Sequence, residues 1–145
     1  MADNVTYKGA PKVGLRNVGS YQVSGHPFIT GSALVQNEEK LISFPYVTKS
    51  ITIIASGNFD HADTSIRVHF APTGSAAGNV VTGPKYIEFD SHEDSLEIDV
   101  KCKEIYISRK NSAQTEVCGF RMYASLTNIP TSSMYELTGS GISEA

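Results

Sequence analysis

The sequence predicts an all-β domain: an antiparallel β-sandwich of about seven or eight strands with extended N- and C-terminal arms. Three observations support this fold class. Apolar and polar residues alternate with a period of two through the middle of the chain, turn-forming segments interrupt this alternation, and neither end of the chain continues it. Periodicity does not determine strand order, so a jelly-roll and an immunoglobulin-like sandwich both remain open.

Each alternating run is predicted to be a strand that directs its apolar side chains into the core. The runs span residues 42–46, 50–53, 66–70, 87–89, 96–102, 105–107 and 118–126. Ile98, Val100, Phe120 and Met122 lie in the middle of the two longest runs, and we expect all four to face inward. His69 has the opposite phase in its run, so we expect it to be exposed on the face away from the core.

The chain has the length of one domain, with 145 residues, of which 40% are hydrophobic and 19% are charged. This composition is sufficient for a packed core. We divide the single domain into three parts: residues 1–40, an extended N-terminal arm with the first strand segments; residues 41–126, the β-sandwich core; and residues 127–145, the C-terminal arm.

The two arms contain apolar side chains without strand alternation, and we expect these to pack against a partner surface. Outward-facing tyrosines on the predicted strands are further candidates, because tyrosine is enriched in protein–protein interfaces. The alternative for these tyrosines is their ordinary preference for strands. The predicted contact residues are Tyr21, Val23, Phe28, Tyr86, Tyr106, Tyr123, Met134, Tyr135 and Leu137.

Two short segments of the arms share one pattern of residue types. Residues 21–25 read Tyr-Gln-Val-Ser-Gly, and residues 135–139 read Tyr-Glu-Leu-Thr-Gly. The similarity is either a coincidence between two strand-and-turn segments or the sign of two edge segments that each add a strand to a sheet.

The sequence contains no motif of a catalytic, cofactor-binding or metal-binding site, so we expect neither an enzyme nor a cofactor. Phosphate-binding and dinucleotide loops and the nucleophile elbow are absent, and the four histidines lack metal-ligand spacing. Two acidic loops, residues 60–63 and 90–94, are compatible with Ca²⁺ binding, but solvated turns are the favoured interpretation. Cys102 and Cys118 lie in apolar runs, where buried free thiols are favoured over a disulfide or a metal pair.

Charge and hydropathy exclude further classes of partner. The formal net charge is -3 and no cluster of lysines and arginines occurs, so we expect no nucleic-acid partner. No apolar run approaches the roughly 20 residues that cross a bilayer, so we expect no membrane partner. The first residues show no charged segment followed by an apolar stretch, and we expect no signal-peptide export.

The N-terminal region carries a resemblance to a known class of proteins. Residues 10–32 read APKVGLRNVGSYQVSGHPFITGS, which resembles the start of small virion structural proteins of tailed phages, particularly marine cyanophages. Similar stretches occur at residues 66–70, 80–83, 100–108 and 135–143. The resemblance therefore covers most of the chain, although none of these stretches is a motif of a known chemistry.

This resemblance implies a non-enzymatic structural role. Such proteins include decoration, or cement, proteins, and we expect one that binds the outer surface of a phage head and stabilises it. The implied partner is the major capsid protein or another virion structural protein. We also expect a homo-oligomer, with a trimer favoured. The protein would be made and assembled in the host cytoplasm and located in the virion, with the capsid surface favoured. The alternatives are a tail, neck or baseplate component, and a β-sandwich that binds carbohydrate on a host surface.

Overall fold

The fold is seen in a computed structural model that describes residues 14–16, 18, 21, 25–35, 38–59, 64–72, 86–109 and 117–137. The strands are β1 (His26–Leu34), β2 (Glu39–Ser43), β3 (Tyr46–Gly57), β4 (Ile66–His69), β5 (Ile87–Phe89), β6 (Ser95–Ile98), β7 (Glu104–Arg109) and β8 (Cys118–Pro130). A 3-10 turn, Thr131–Ser133, follows β8. Two antiparallel four-stranded sheets form, with the order β1-β8-β3-β6 in sheet A and β2-β7-β4-β5 in sheet B. The predicted all-β sandwich is confirmed.

The strand pairing is nested. Strand β1 pairs with β8, β2 with β7, β3 with β6 and β4 with β5, in each case antiparallel. Two further antiparallel pairings, β3 with β8 and β4 with β7, complete the sheets. Every connection between consecutive strands therefore changes sheet, except the one from β4 to β5.

The core lies between the two sheets and is built from both. Apart from Leu34 of the edge strand β1, its largest fully buried side chains come from the central strands β3 and β8 of sheet A and from β4 and β7 of sheet B. Phe120 and Met122 on β8 are buried, as predicted. Ile98 and Val100 are partly buried and pack against this core, so they also face inward.

Strand β6 is shorter than the alternation predicts, because the chain changes sheet within the run 96–102. Hydrogen bonding to β3 ends at Ile98, although Cys102 is still fully buried. Here the β2–β3 connection and the first residues of β3 run beside the β6–β7 connection: the Phe44 amide donates to the Lys103 carbonyl at 2.9 Å, and the Thr48 amide donates to the Cys102 carbonyl at 3.1 Å. Alternation thus continues through a crossing that is not a strand.

Thr48 joins the two crossing segments through its side chain. Its hydroxyl, which is fully buried, donates to the Val100 carbonyl at 2.8 Å and accepts the Cys102 amide at 3.1 Å. The β3–β8 register shifts on both sides of Thr48, so the residue lies at an irregularity of β3 rather than in its regular ladder. The hydroxyl replaces hydrogen bonds that the crossing segments lose when they leave the sheets.

The sandwich extends beyond the residues that we assigned to its core. Strand β1, within the predicted N-terminal part, contributes nine residues to sheet A, and β8 continues to Pro130. Ile87, on the three-residue edge strand β5, is exposed, whereas the alternation predicts an inward side chain. Strand β5 has three residues and a neighbouring strand on one side only, so no adjacent strand covers the Ile87 side chain on its other side.

His69 is not exposed, and the expectation that it would be is wrong: only 2% of it is accessible. Alternation with the core residue Val68 still places His69 on the outer side of sheet B. That side is covered at this point, because the Tyr106 ring stacks on the His69 ring with centroids 5.8 Å apart. A period of two predicts the side of the sheet and not whether other parts of the chain cover it.

Replacing Thr48 by valine tests the crossing. Thr48→Val keeps the shape but leaves the Cys102 amide and the Val100 carbonyl buried without this partner, which costs on the order of 1–3 kcal/mol of unfolding free energy. Thr48→Ser keeps the hydroxyl, and Thr52→Val makes the same change on the half-buried outer face of β3. Urea denaturation should show a large loss for Thr48→Val only, and equal stability of Thr48→Val and Thr52→Val would contradict the role of the hydroxyl.

Candidate assembly site

A second, smaller apolar cluster lies at one end of the sandwich, apart from the main core. It is formed by the buried residues Val47 of β3, Ile129 of β8 and Met134, which follows the 3-10 turn. Thr127 fixes the backbone here, because its buried hydroxyl donates to the Val47 carbonyl at 2.7 Å and accepts the Ile129 amide at 3.1 Å. The start of the C-terminal arm therefore folds back onto β3 and β8.

The N-terminal arm reaches the same cluster. Leu15, Tyr21 and Leu137 pack on it as partly buried residues. The Tyr21 hydroxyl donates to the Leu15 carbonyl at 2.9 Å, and the Lys49 ammonium donates to the Tyr21 carbonyl at 3.3 Å. Burial raises the pKa of Tyr21, and the nearby Tyr135 raises it further. The two arm segments that share the Tyr-polar-aliphatic-hydroxyl-Gly pattern thus begin beside each other.

A groove of about 300 Å³ lies next to this junction of the arms, which we call the arm groove. Its walls are residues 70–72, which follow β4, and residues 135–137 of the C-terminal arm, and Tyr106 of β7 lies between them. The Lys103 ammonium forms an ion pair with the Glu136 carboxylate across one end. Because Glu136 is largely exposed, this pair orients the arm more than it stabilises the fold.

The Tyr106 ring stacks on the buried His69 ring, which is itself fixed by two hydrogen bonds. The parallel His69 ring donates or accepts through both nitrogens, with Nδ1 2.7 Å from the Ala71 carbonyl and Nε2 3.0 Å from the Ser108 hydroxyl. Since a carbonyl only accepts, Nδ1 carries a hydrogen, so in a neutral His69 ring Nε2 accepts from the Ser108 hydroxyl. Glu39 lies 3.7 Å from Nε2. Ser108 is fully buried, so the Ser108–His69 pair does not present a nucleophile to solvent.

The Tyr106 hydroxyl is kept protonated by its surroundings. Burial raises its pKa, and the Glu104 carboxylate, which accepts a long hydrogen bond of 3.4 Å from this hydroxyl, raises it further. A neutral phenol donates one hydrogen bond and accepts others. Because its single hydrogen is given to Glu104, the Tyr106 oxygen is left to accept a hydrogen bond from a bound group inside a mostly apolar groove.

The predicted contact residues fall into two groups. Five of them meet at this end of the sandwich. Tyr21 and Met134 belong to the second cluster or pack on it, Tyr106 and Tyr135 line the arm groove, and Leu137 does both. Met134 is buried against its own chain, so the partner surface that we expected for it is intramolecular. Tyr135 is 57% exposed and remains free for a partner.

The remaining contact residues lie elsewhere. Phe28 packs edge-on against Phe44 with ring centroids 5.3 Å apart, as part of the main core. Tyr86 lies under the Arg67 guanidinium at 4.2 Å, beside sheet B, whereas Tyr123 is on β8 of sheet A and is 42% exposed. The three tyrosines that share an outward direction therefore do not form one patch. Val23 lies outside the described residues.

The acidic loop 90–94 forms a hydrogen-bonded turn. The Asp94 carboxylate accepts the amides of Asp90 and Ser91 at 3.3 and 3.2 Å, and Glu93 adopts a left-handed φ of 69°. His92 Nδ1 accepts the Gly57 amide at 3.0 Å. Among the residues that the structure describes, no group of three or more His, Cys, Asp or Glu side chains could hold a metal ion. The other predicted loop, 60–63, lies outside them.

Both cysteines are buried free thiols, as the favoured interpretation of the sequence has it. Burial raises the pKa of Cys102, and its Sγ lies 3.4 Å from the Thr48 hydroxyl at the crossing. Burial also raises the pKa of Cys118, while the Arg109 guanidinium lowers it. Within the described parts of the chain, no helix is long and apolar enough to cross a membrane.

The chain matches no protein-family model and no curated protein.

Truncating Met134 tests whether the C-terminal arm is part of the folded domain. Met134→Ala removes a buried side chain from the second cluster, and we expect a loss on the order of 2–5 kcal/mol of unfolding free energy. Tyr135→Ala, at the exposed neighbouring position, is the matched control and should change stability by less than about 0.5 kcal/mol. The measurement is urea denaturation followed by circular dichroism. Equal, small effects of both substitutions would mean that the arm is not packed in solution.

Proposed function

We propose that this chain is a non-enzymatic structural protein of a phage virion, a decoration protein that binds the outer surface of the head and stabilises it. The observation that carries the proposal is the arm groove, a mostly apolar depression beside the junction of both arms that Tyr106 and the exposed Tyr135 line. Tyrosines that line a concave, mostly apolar surface are typical of contact sites between proteins.

The strand order supports a virion role. We infer that the nested pairing of β1 with β8 through β4 with β5 makes the sandwich a jelly roll rather than an immunoglobulin-like fold. Jelly rolls are common in viral capsid proteins, and also in lectins, so the fold alone does not select a function. The resemblance of the sequence to small virion proteins of tailed phages favours the first of these classes.

The chemistry of the groove suits a segment of another protein. Phe70 and Pro72 offer apolar contacts, and the Tyr106 oxygen and the Glu104 carboxylate are hydrogen-bond acceptors. An extended segment of the major capsid protein, or of another virion protein, would bury its side chains there and satisfy its backbone on these polar groups. Each such contact is small, and many copies on one shell convert modest affinity into stable attachment.

Binding to virion parts tests this proposal. Heads and tails, purified from the phage that encodes the chain and stripped of this protein, are each incubated with it and sedimented. We expect binding to heads and none to tails. Tyr135→Ala should weaken head binding by about tenfold or more, equivalent to about 1.4 kcal/mol, because an exposed tyrosine leaves the interface without altering the fold.

Tyr123→Ala is the matched control, an exposed tyrosine on the opposite sheet, and should bind heads like the unmodified chain. Binding to tails alone would contradict a decoration role and favour a tail component. Binding to neither part would contradict the virion proposal. Loss of binding in Tyr123→Ala but not in Tyr135→Ala would move the contact from the arm groove to sheet A.

A further inference from the structure

Strand β1 differs from the other three strands at the edges of the sheets. Edge strands β2, β5 and β6 are five, three and four residues long, and each contains at least one charged residue. Short length and charge are the usual protection of a sheet edge against pairing with another chain. Strand β1, His-Pro-Phe-Ile-Thr-Gly-Ser-Ala-Leu, has nine residues and no lysine, arginine, aspartate or glutamate.

The outer edge of β1 pairs with no second strand in the part of the chain that the structure describes, although the Ser32 hydroxyl, which accepts the Lys40 ammonium at 2.6 Å, donates to the Ala33 carbonyl at 2.9 Å. Strand β1 lies at the end of sheet A, and its one partner strand there is β8, paired over all nine residues. On the outer face of the sheet, Ile29 is 77% exposed, which is unusual for isoleucine in the middle of a long strand. The same strand thus combines a backbone edge that pairs with no second strand and an exposed apolar side chain.

The outer face beside Ile29 has a complementary depression. Gly31, Ala33 and Gly119 leave a shallow cavity of about 260 Å³ on sheet A. The glycine at position 31 is required by the backbone, because a Cβ there would lie 2.8 Å from the Phe120 carbonyl oxygen. Arg121, directly opposite Gly31 on β8, borders the depression with the aliphatic part of its side chain.

We propose that two copies of the chain associate through β1, forming a continuous eight-stranded sheet across a two-fold axis. When two identical strands pair antiparallel, the two-fold axis passes between one residue and its own copy. If that residue is Thr30, the centre of β1, all nine residues of the strand are paired. In this register Ile29 of one copy lies opposite Gly31 of the other, so each isoleucine covers the depression of its neighbour. Axes at Ile29 or Gly31 pair fewer residues.

A second copy is the occupant that this edge fits best. A two-fold contact places the same surface against itself, so an uncharged strand is favourable, whereas any charge would face its own copy nearby. The exposed isoleucine and the depression lie two residues apart on one strand, which is the spacing that the two-fold pairing requires. Pro27, near the strand end, lacks an amide hydrogen and removes at most one hydrogen bond at each end. This pair differs from the trimer that the sequence favours, and it does not depend on a role in the virion.

The experiment measures the oligomeric state of the full chain by sedimentation equilibrium over a range of concentrations. We expect a monomer–dimer equilibrium in the micromolar range. Ile29→Lys should raise the dissociation constant by about tenfold or more, since the lysine cannot enter the apolar depression without losing its water. Ile87→Lys, an exposed isoleucine on the edge of sheet B, is the matched control and should dimerise normally.

Cysteine cross-linking tests the register independently. Residues directly opposite in antiparallel strands have Cα atoms within the range that a disulfide spans. Thr30→Cys should therefore form a covalent dimer with a mild oxidant, whereas Ala33→Cys, opposite Pro27 of the other copy, should not. A chain that stays monomeric or forms a trimer overturns the proposal. So does equal weakening by Ile29→Lys and Ile87→Lys, or cross-linking of Ala33→Cys in preference to Thr30→Cys.

Discussion

The fold depends on satisfying the backbone where two segments cross between the sheets. Strands that leave a sheet lose their ladder hydrogen bonds, and a buried amide or carbonyl without a partner costs about as much as a lost hydrogen bond. At this crossing, Thr48 supplies the missing partners, because one hydroxyl bonds both the Val100 carbonyl and the Cys102 amide. The same contact holds β2–β3 beside β6–β7, and with it the pairing of β2 with β7 and of β3 with β6.

The arm groove is a consequence of this crossing. Val47, next to Thr48, is directed away from the main core and becomes the base of the second cluster, on which Met134 and residues of both arms pack. Lys103, at the other crossing segment, pairs with Glu136 and aligns the C-terminal arm along the groove. The residues that form the proposed contact site are therefore brought together by the same backbone arrangement that sets the strand order.

The sequence predicted the architecture because the period of two is a local property. It correctly placed Phe120 and Met122 in the core. It also predicted that apolar residues of both arms pack on a partner surface, and among the described arm residues Met134 packs on Val47 and Ile129 of its own chain. It did not predict that much of this surface is the chain's own, since Val47 and Met134 are far apart in sequence. It also missed the burial of His69, which is due to Tyr106 on a neighbouring strand. Alternation contains no information on either of these long-range contacts.

Native-state hydrogen exchange measures the central claim most directly. If the Thr48 crossing holds the sandwich together, the Cys102 amide exchanges only when the whole domain unfolds, with the same free energy as the amide of the core residue Phe120 on β8. The Ser91 amide, in an exposed turn, serves as the reference for local opening. Exchange of the Cys102 amide through a local opening, at a free energy well below that of Phe120, would contradict the account.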